Sequence, residues 1–143
     1  MSLVVKDVMS QNVITIDCSA SVKHVAGLMD KYDIGCLVVL KEGRPAGIVT
    51  ERDMLRRVLL QSKDPETTNV SDVMSEPLIS SNPQTSMHEA MEVLNERRIK
   101  RLPVVDGDAV VGLLSITDIV RSVAFMEHMA NSLCARCKWN KDG

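Results

Sequence analysis

The sequence predicts an α+β fold made of two pseudo-two-fold-related β-α-β-β-α repeats, and three observations carry that prediction. Sliding residues 72–123 back by 65 positions lays them on residues 7–58 without a gap. Of the 52 aligned pairs 13 are identical, among them Asp7/Asp72, Gly47/Gly112 and Asp53/Asp118, where average residue usage gives about three or four. Both copies also run through the same order of β-type and helical periodicities. Finally, 143 residues with 45% apolar content can build one aliphatic core without disulfides or metal, whereas half of that length alone is marginal. Any site is therefore expected twice.

In the first copy Val13–Ile16 is a short β-type run. Ser21 then starts a helix whose apolar positions Val22, Val25, Ala26 and Met29 keep the i, i+3, i+4, i+7 rule. The second copy repeats that helix with Met87, Ala90, Met91 and Leu94 behind a Ser86/Glu89 capping box. Hairpins follow, Cys36–Leu40 with Ala46–Thr50 and Arg101–Val105 with Val110–Ser115, turned by Gly and Asp. A second helix closes each unit, from Glu51 to about Leu60 and from Ile116 to about Leu133. The expected divisions are repeat one over 1–61, a polar linker over 62–69, repeat two over 70–124 and a C-terminal extension over 125–143. Two three-stranded sheets buried against each other would leave two symmetric clefts at their seam.

A formal charge of −2, with one Phe, one Tyr and one Trp, argues against nucleic-acid binding by bulk attraction or by base stacking. No apolar run is long enough for a bilayer and the first residues lack the order of a signal peptide, so a cytoplasmic protein is expected. Cys18, Cys36, Cys134 and Cys137 then read as reduced thiols.

The sharpest motif is Gly-h-h-[Ser/Thr]-x-x-Asp, where h is an aliphatic residue, at Gly47–Asp53 and again at Gly112–Asp118. It falls where a strand passes into a helix, a place whose unpaired amides favour an anion. The glycine would admit a ligand to the backbone, the hydroxyl would meet a phosphate, and the carboxylate suits the vicinal hydroxyls of a ribose. Ser/Thr-x-x-Asp is equally a capping box that needs no ligand. Four cations crowd Arg97–Arg101. Charges at a helix C-terminus are ordinary, but Lys100 and Arg101 lie where the chain enters a strand and would reach a cleft to pair with phosphate. Their counterparts Gly35 and Cys36 carry no charge, which predicts unequal sites.

With Asp-Val-Met-Ser opening each copy, Arg-Leu-Pro-Val-Val-Asp at 101–106 and the two glycine-to-aspartate junctions, the chain from about Lys6 to Val123 resembles a tandem cystathionine-β-synthase (CBS) domain pair, or Bateman module. The resemblance implies that an adenosine-containing effector, AMP, ADP, ATP or S-adenosylmethionine, is bound between the repeats, with no cofactor required. By position it implies Asp53 and Asp118 at ribose hydroxyls, with Thr50, Ser115 and Thr117 near phosphate or ribose. Ile14, Ile48, Ile79 and Leu113 would flank the base, and the backbone around Thr15 and Ser80 would read its edge. Lys100 and Arg101 would take the phosphates of the copy-two site. Arg52, in the slot of Thr117, would supply a further cation or fill its cleft.

The closing helix is expected to run on through Leu133 to a Cys134-x-x-Cys137 pair, half of a tetrahedral zinc site at best. Phe125, Met126, Met129 and Leu133 would pack on the module or on a second copy. No Ser or Cys nucleophile is paired by spacing with His24 or His88, so an enzyme is not expected. The reading is a non-catalytic, homodimeric regulatory module that senses an adenosine ligand and acts on a partner protein. Its alternatives are a ligand-free assembly module and a metal or redox element at the C-terminal cysteines.

Overall fold

Unbroken aliphatic runs flanked by two-residue turns make the hairpins at the heart of each repeat. The structure, a computed structural model, describes the backbone of residues 3–139 and the side chains of residues 3–132. Strands β2 (Cys36–Lys41) and β3 (Arg44–Thr50) pair antiparallel, as do β4 (Arg101–Asp106) and β5 (Ala109–Ser115). Gly43 and Gly107 turn them at φ of 77° and 62°, where side chains are disfavoured. Before these lie α1 (Val5–Val8), β1 (Thr15–Asp17) and α2 (Val22–Tyr32) in repeat one, and a 3-10 turn (Val70–Asp72) and α4 (Met87–Arg97) in repeat two. Helix α3 (Glu51–Met54), prolonged by a π turn over Leu55–Leu59, closes repeat one, and α5 (Ile116–Trp139) closes repeat two. Ser21 and Ser86 cap α2 and α4 through the amides of His24 and Glu89. No helix among the described residues is long and apolar enough to cross a membrane.

The first sheet has three strands, with β1 running parallel to β2. Its first strand begins at Thr15 rather than Val13. The second sheet departs further from the expected three strands: it has two, and the would-be first strand survives as one parallel bridge between Ser81 and Val104. Two prolines explain the loss. In repeat one, the amide of Cys18 donates to Leu40 and that of Val38 to Ile14. The counterparts of those donors are Pro83 and Pro103, which have no N–H, so only the central bonds from Ser81 to Pro103 (2.9 Å) and from Val105 to Ser81 (2.8 Å) form.

The two cores are filled crosswise. Val70, Val73 and Met74, which open repeat two, are buried with Val22, Val25, Leu37, Val39 and Val49 of repeat one. Reciprocally, Val5, Val8 and Met9 pack with Ala90, Leu94, Leu102, Val104 and Leu114 of repeat two. Each fully buried Val contributes about 1.5–3 kcal/mol. Matching hydrogen bonds fix both plugs: Val70 donates to Ala20 and Val5 to Thr85, each at 2.8 Å. At the strand edges, Ser75 exchanges two backbone bonds with Ile48, and Ser10 with Leu113. The Arg57 guanidinium adds a clamp across the repeats, donating to the carbonyls of Val73 and Met74 at 3.0 Å each.

Gly47 and Gly112 therefore serve a purpose other than ligand approach. A Cβ on Gly47 would stand 2.7 Å from the Ser75 carbonyl oxygen, and one on Gly112 would stand 3.0 Å from that of Ser10. Both glycines make room for the other repeat's Met-Ser segment.

Candidate functional site

Where the β3–α3 junction of repeat one meets the strap leading into β4, the repeats enclose a cavity of about 460 Å³. Ile48, Pro77, Ile79, Ile99 and Pro103 supply its apolar wall, and Thr50, Glu51, Asp53 and Ser75 a polar one. Arg52, Arg98, Lys100 and Arg101 bring four cations to the same space. Among the described residues none of the four is ion-paired with a carboxylate.

Asp53 lines this cavity rather than standing in open solvent, its side chain being 14% exposed. One carboxylate oxygen, Oδ2, accepts from the Thr50 amide (2.9 Å) and hydroxyl (3.1 Å), and the Asp53 amide returns a bond to Thr50 Oγ1 at 3.2 Å. The other oxygen, Oδ1, has the Arg57 Nε at 3.9 Å and keeps acceptor capacity for a ligand diol. Ser115 and Asp118 repeat the reciprocal cap at 3.2, 2.8 and 3.1 Å. Capping and site geometry thus coexist.

Three expectations are corrected here. Lys100 and Arg101 share their cavity with Thr50 and Asp53 of repeat one, not with Asp118, because the strap before β4 crosses to the opposite junction. Several junction amides are already taken: Glu51 donates to the Gly35 carbonyl and Ile116 to that of Lys100, while Thr50 and Asp53 bond each other. Cys36 is buried at the start of β2, and burial above all pushes its thiol pKa up, with Arg101 pulling down and Glu51 adding to the rise. It is a core thiol.

Of the expected residues, Ile48, Thr50, Arg52, Asp53, Ile79, Lys100 and Arg101 line the cavity, whereas Ile14, Thr15, Gly35, Cys36, Ser80, Leu113, Ser115, Thr117 and Asp118 do not. Gly35 touches it indirectly, since the Arg101 guanidinium occupies the space a Cβ there would need. Sequence reasoning missed Glu51, Ser75, Pro77, Arg98, Ile99 and Pro103. Arg98 and Ile99 stood within the basic run already noted, so reading it as one strap would have found them.

Pro103 has a second effect at this site. The Ile14 carbonyl of repeat one is taken by the Val38 amide at 3.1 Å. Its counterpart on Ile79, in the cavity wall, receives no such bond because Pro103 has no N–H to give.

The CBS-domain family model matches residues 5–60 and 70–124. The chain belongs to the CBS-domain family. It is 35% identical over 115 residues to the CBS domain-containing protein YhcV of Bacillus subtilis, covering 80% of this chain and 81% of that one. It is 39% identical over 100 residues to the mitochondrial CBS domain-containing protein CBSX3 of Arabidopsis thaliana, covering 66% of this chain and 48% of that protein. In structure it is similar to the CBS domain pair of MJ0100 in complex with 5′-methylthioadenosine and S-adenosyl-L-methionine. There the TM-score is 0.79 at 26% identity, with 88% of this chain and 99% of that one covered.

The tail cysteines lie outside the residues whose side chains are described. Among the described residues no group of three or more His, Cys, Asp or Glu is placed to hold a metal ion. His88 stands 3.1 Å from Glu92 on the exposed face of α4.

Proposed function

We propose that this CBS pair is a cytoplasmic, non-catalytic regulatory module that binds an adenosine-containing effector in the cavity between its repeats and alters its contacts with a partner protein. The observation that carries the reading is the convergence, in one cavity of about 460 Å³, of a half-satisfied carboxylate at Asp53, apolar walls at Ile48 and Ile79, and unpaired cations from the other repeat. The adenosine compounds bound by the structurally similar MJ0100 pair support the same ligand class. An effector would act by differential affinity for two placements of the repeats. Titration calorimetry with AMP, ADP, ATP and S-adenosylmethionine, paired with thermal shift, tests the reading. Binding that Asp53→Ala abolishes supports it, and an absence of heat and shift with all four refutes it.

Assembly is a second reading, favoured by a different observation. A groove between α4 and α5 is lined by Met91, Leu94, Ile116 and Ile119, and Val120 and Val123 stay exposed beside it on α5. A homodimer through this face predicts twice the chain mass in light scattering, reduced to one chain by Met91→Lys with Val120→Glu.

A further inference from the structure

The cavity and the positions related to it by the 65-residue repeat carry opposite charge. Around the first, Arg52, Arg98, Lys100 and Arg101 face two carboxylates, Glu51 and Asp53. At the positions related by the 65-residue repeat stand Thr117, Asp33, Gly35, Cys36, Ile116 and Asp118, which hold two carboxylates and no cation. Four cations facing only two carboxylates leave an excess of positive charge that repels itself, and a polyanion relieves that repulsion in proportion to its charge. A second, independent difference points the same way. Pro103 leaves the Ile79 carbonyl, in the cavity wall, without the amide donor that its counterpart Ile14 has in Val38, so that it can accept from an exocyclic amino group of a base.

From these two differences we propose that the chain has one effector cleft rather than two equal ones, and that this cleft, at Asp53, selects a nucleoside di- or triphosphate over a nucleoside monophosphate or an S-adenosyl compound. The inference rests on the adenosine reading above and adds the charge class and the stoichiometry. An S-adenosyl sulfonium brings a positive charge toward four others, and AMP offers a single phosphate to them. ADP and ATP extend two or three phosphates along the strap from Arg98 to Arg101. Arg52 and Lys100, which repeat one and repeat two respectively do not share with their counterparts, are the specificity determinants.

Calorimetry in metal-free, low-salt buffer with AMP, ADP, ATP and S-adenosylmethionine tests this on the full chain. The expected result is one site per chain, ATP and ADP bound about tenfold or more tighter than AMP, and a preference that shrinks as salt is raised. The double variant Arg52→Thr, Lys100→Gly installs the other cleft's residues at two exposed positions, and it is expected to lower ATP affinity about tenfold or more while changing that for AMP less. A urea melt of the variant verifies that it stays folded. Equal affinity for AMP and ATP, a preference for S-adenosylmethionine, or two equivalent sites overturns the charge-class inference while leaving the adenosine reading standing. No binding of any of the four removes both.

Discussion

Replacing Gly47 by alanine puts the crosswise docking of the repeats under direct strain. The added methyl would lie 2.7 Å from the Ser75 carbonyl oxygen and 2.8 Å from Met74 Sδ. The thioether can swing, but the carbonyl is backbone, and it accepts from the Ile48 amide at 3.0 Å while Ser75 donates back at 2.8 Å. Displacing the segment weakens two backbone bonds at about 0.5–1.5 kcal/mol each and unseats Met74 from its core, an overpacking cost of about 1–3 kcal/mol. A loss of about 2–6 kcal/mol follows, read as a fall in urea midpoint with little change in slope and, for a chain of this size, a drop in Tm of roughly 10 °C or more. Gly27 provides the contrast. It lies inside α2 with nothing within 4 Å of a Cβ, so Gly27→Ala is expected to stabilise by about 0.5–1 kcal/mol. A Gly47→Ala protein as stable as the parent would refute the argument that this glycine exists to seat the other repeat.

Four further outcomes are expected. Ser81 Oγ is buried without a hydrogen-bond partner where repeat one has Ile16, so Ser81→Val should raise the urea stability by about 1 kcal/mol. Arg57→Ala removes the donor to Val73 and Met74 and should cost about 1–3 kcal/mol in the same assay. Asp118→Ala breaks the reciprocal cap with Ser115 and should lower stability by about 0.5–2 kcal/mol. For Cys36, burial raises the thiol pKa in the folded chain, so the native state holds its proton where the unfolded state has released it. Stability should then fall as pH rises through the ordinary thiol range and above; urea melts from pH 7 to 10 check this, and Cys36→Val should remove that part of the slope.

Helices α2 and α4 and both hairpins were legible because aliphatic runs and i, i+3, i+4 spacing report directly on burial. Val22, Val25 and Met29 of α2 lie in the core that their period assigns them to. The missing strand of repeat two was written in Pro83 and Pro103, yet its consequence required knowing which amides repeat one uses there. Harder to read was the crossing. A shift of 65 residues is identical whether Val70 and Met74 plug their own core or the other, so alignment of the copies carries no information on that choice. The same ambiguity assigned Lys100 and Arg101 to Asp118, when the strap takes them to Asp53. Gly47 and Gly112 were legible as close-approach positions, but what approaches is the other repeat's Met-Ser segment.

Because each half lends its opening segment to the other, the two halves are not separable parts. A cut anywhere in 62–69 would yield fragments that each lack the Val-rich stopper for their own socket while carrying the stopper for the other's, so they should re-form the parent on mixing and aggregate when kept apart.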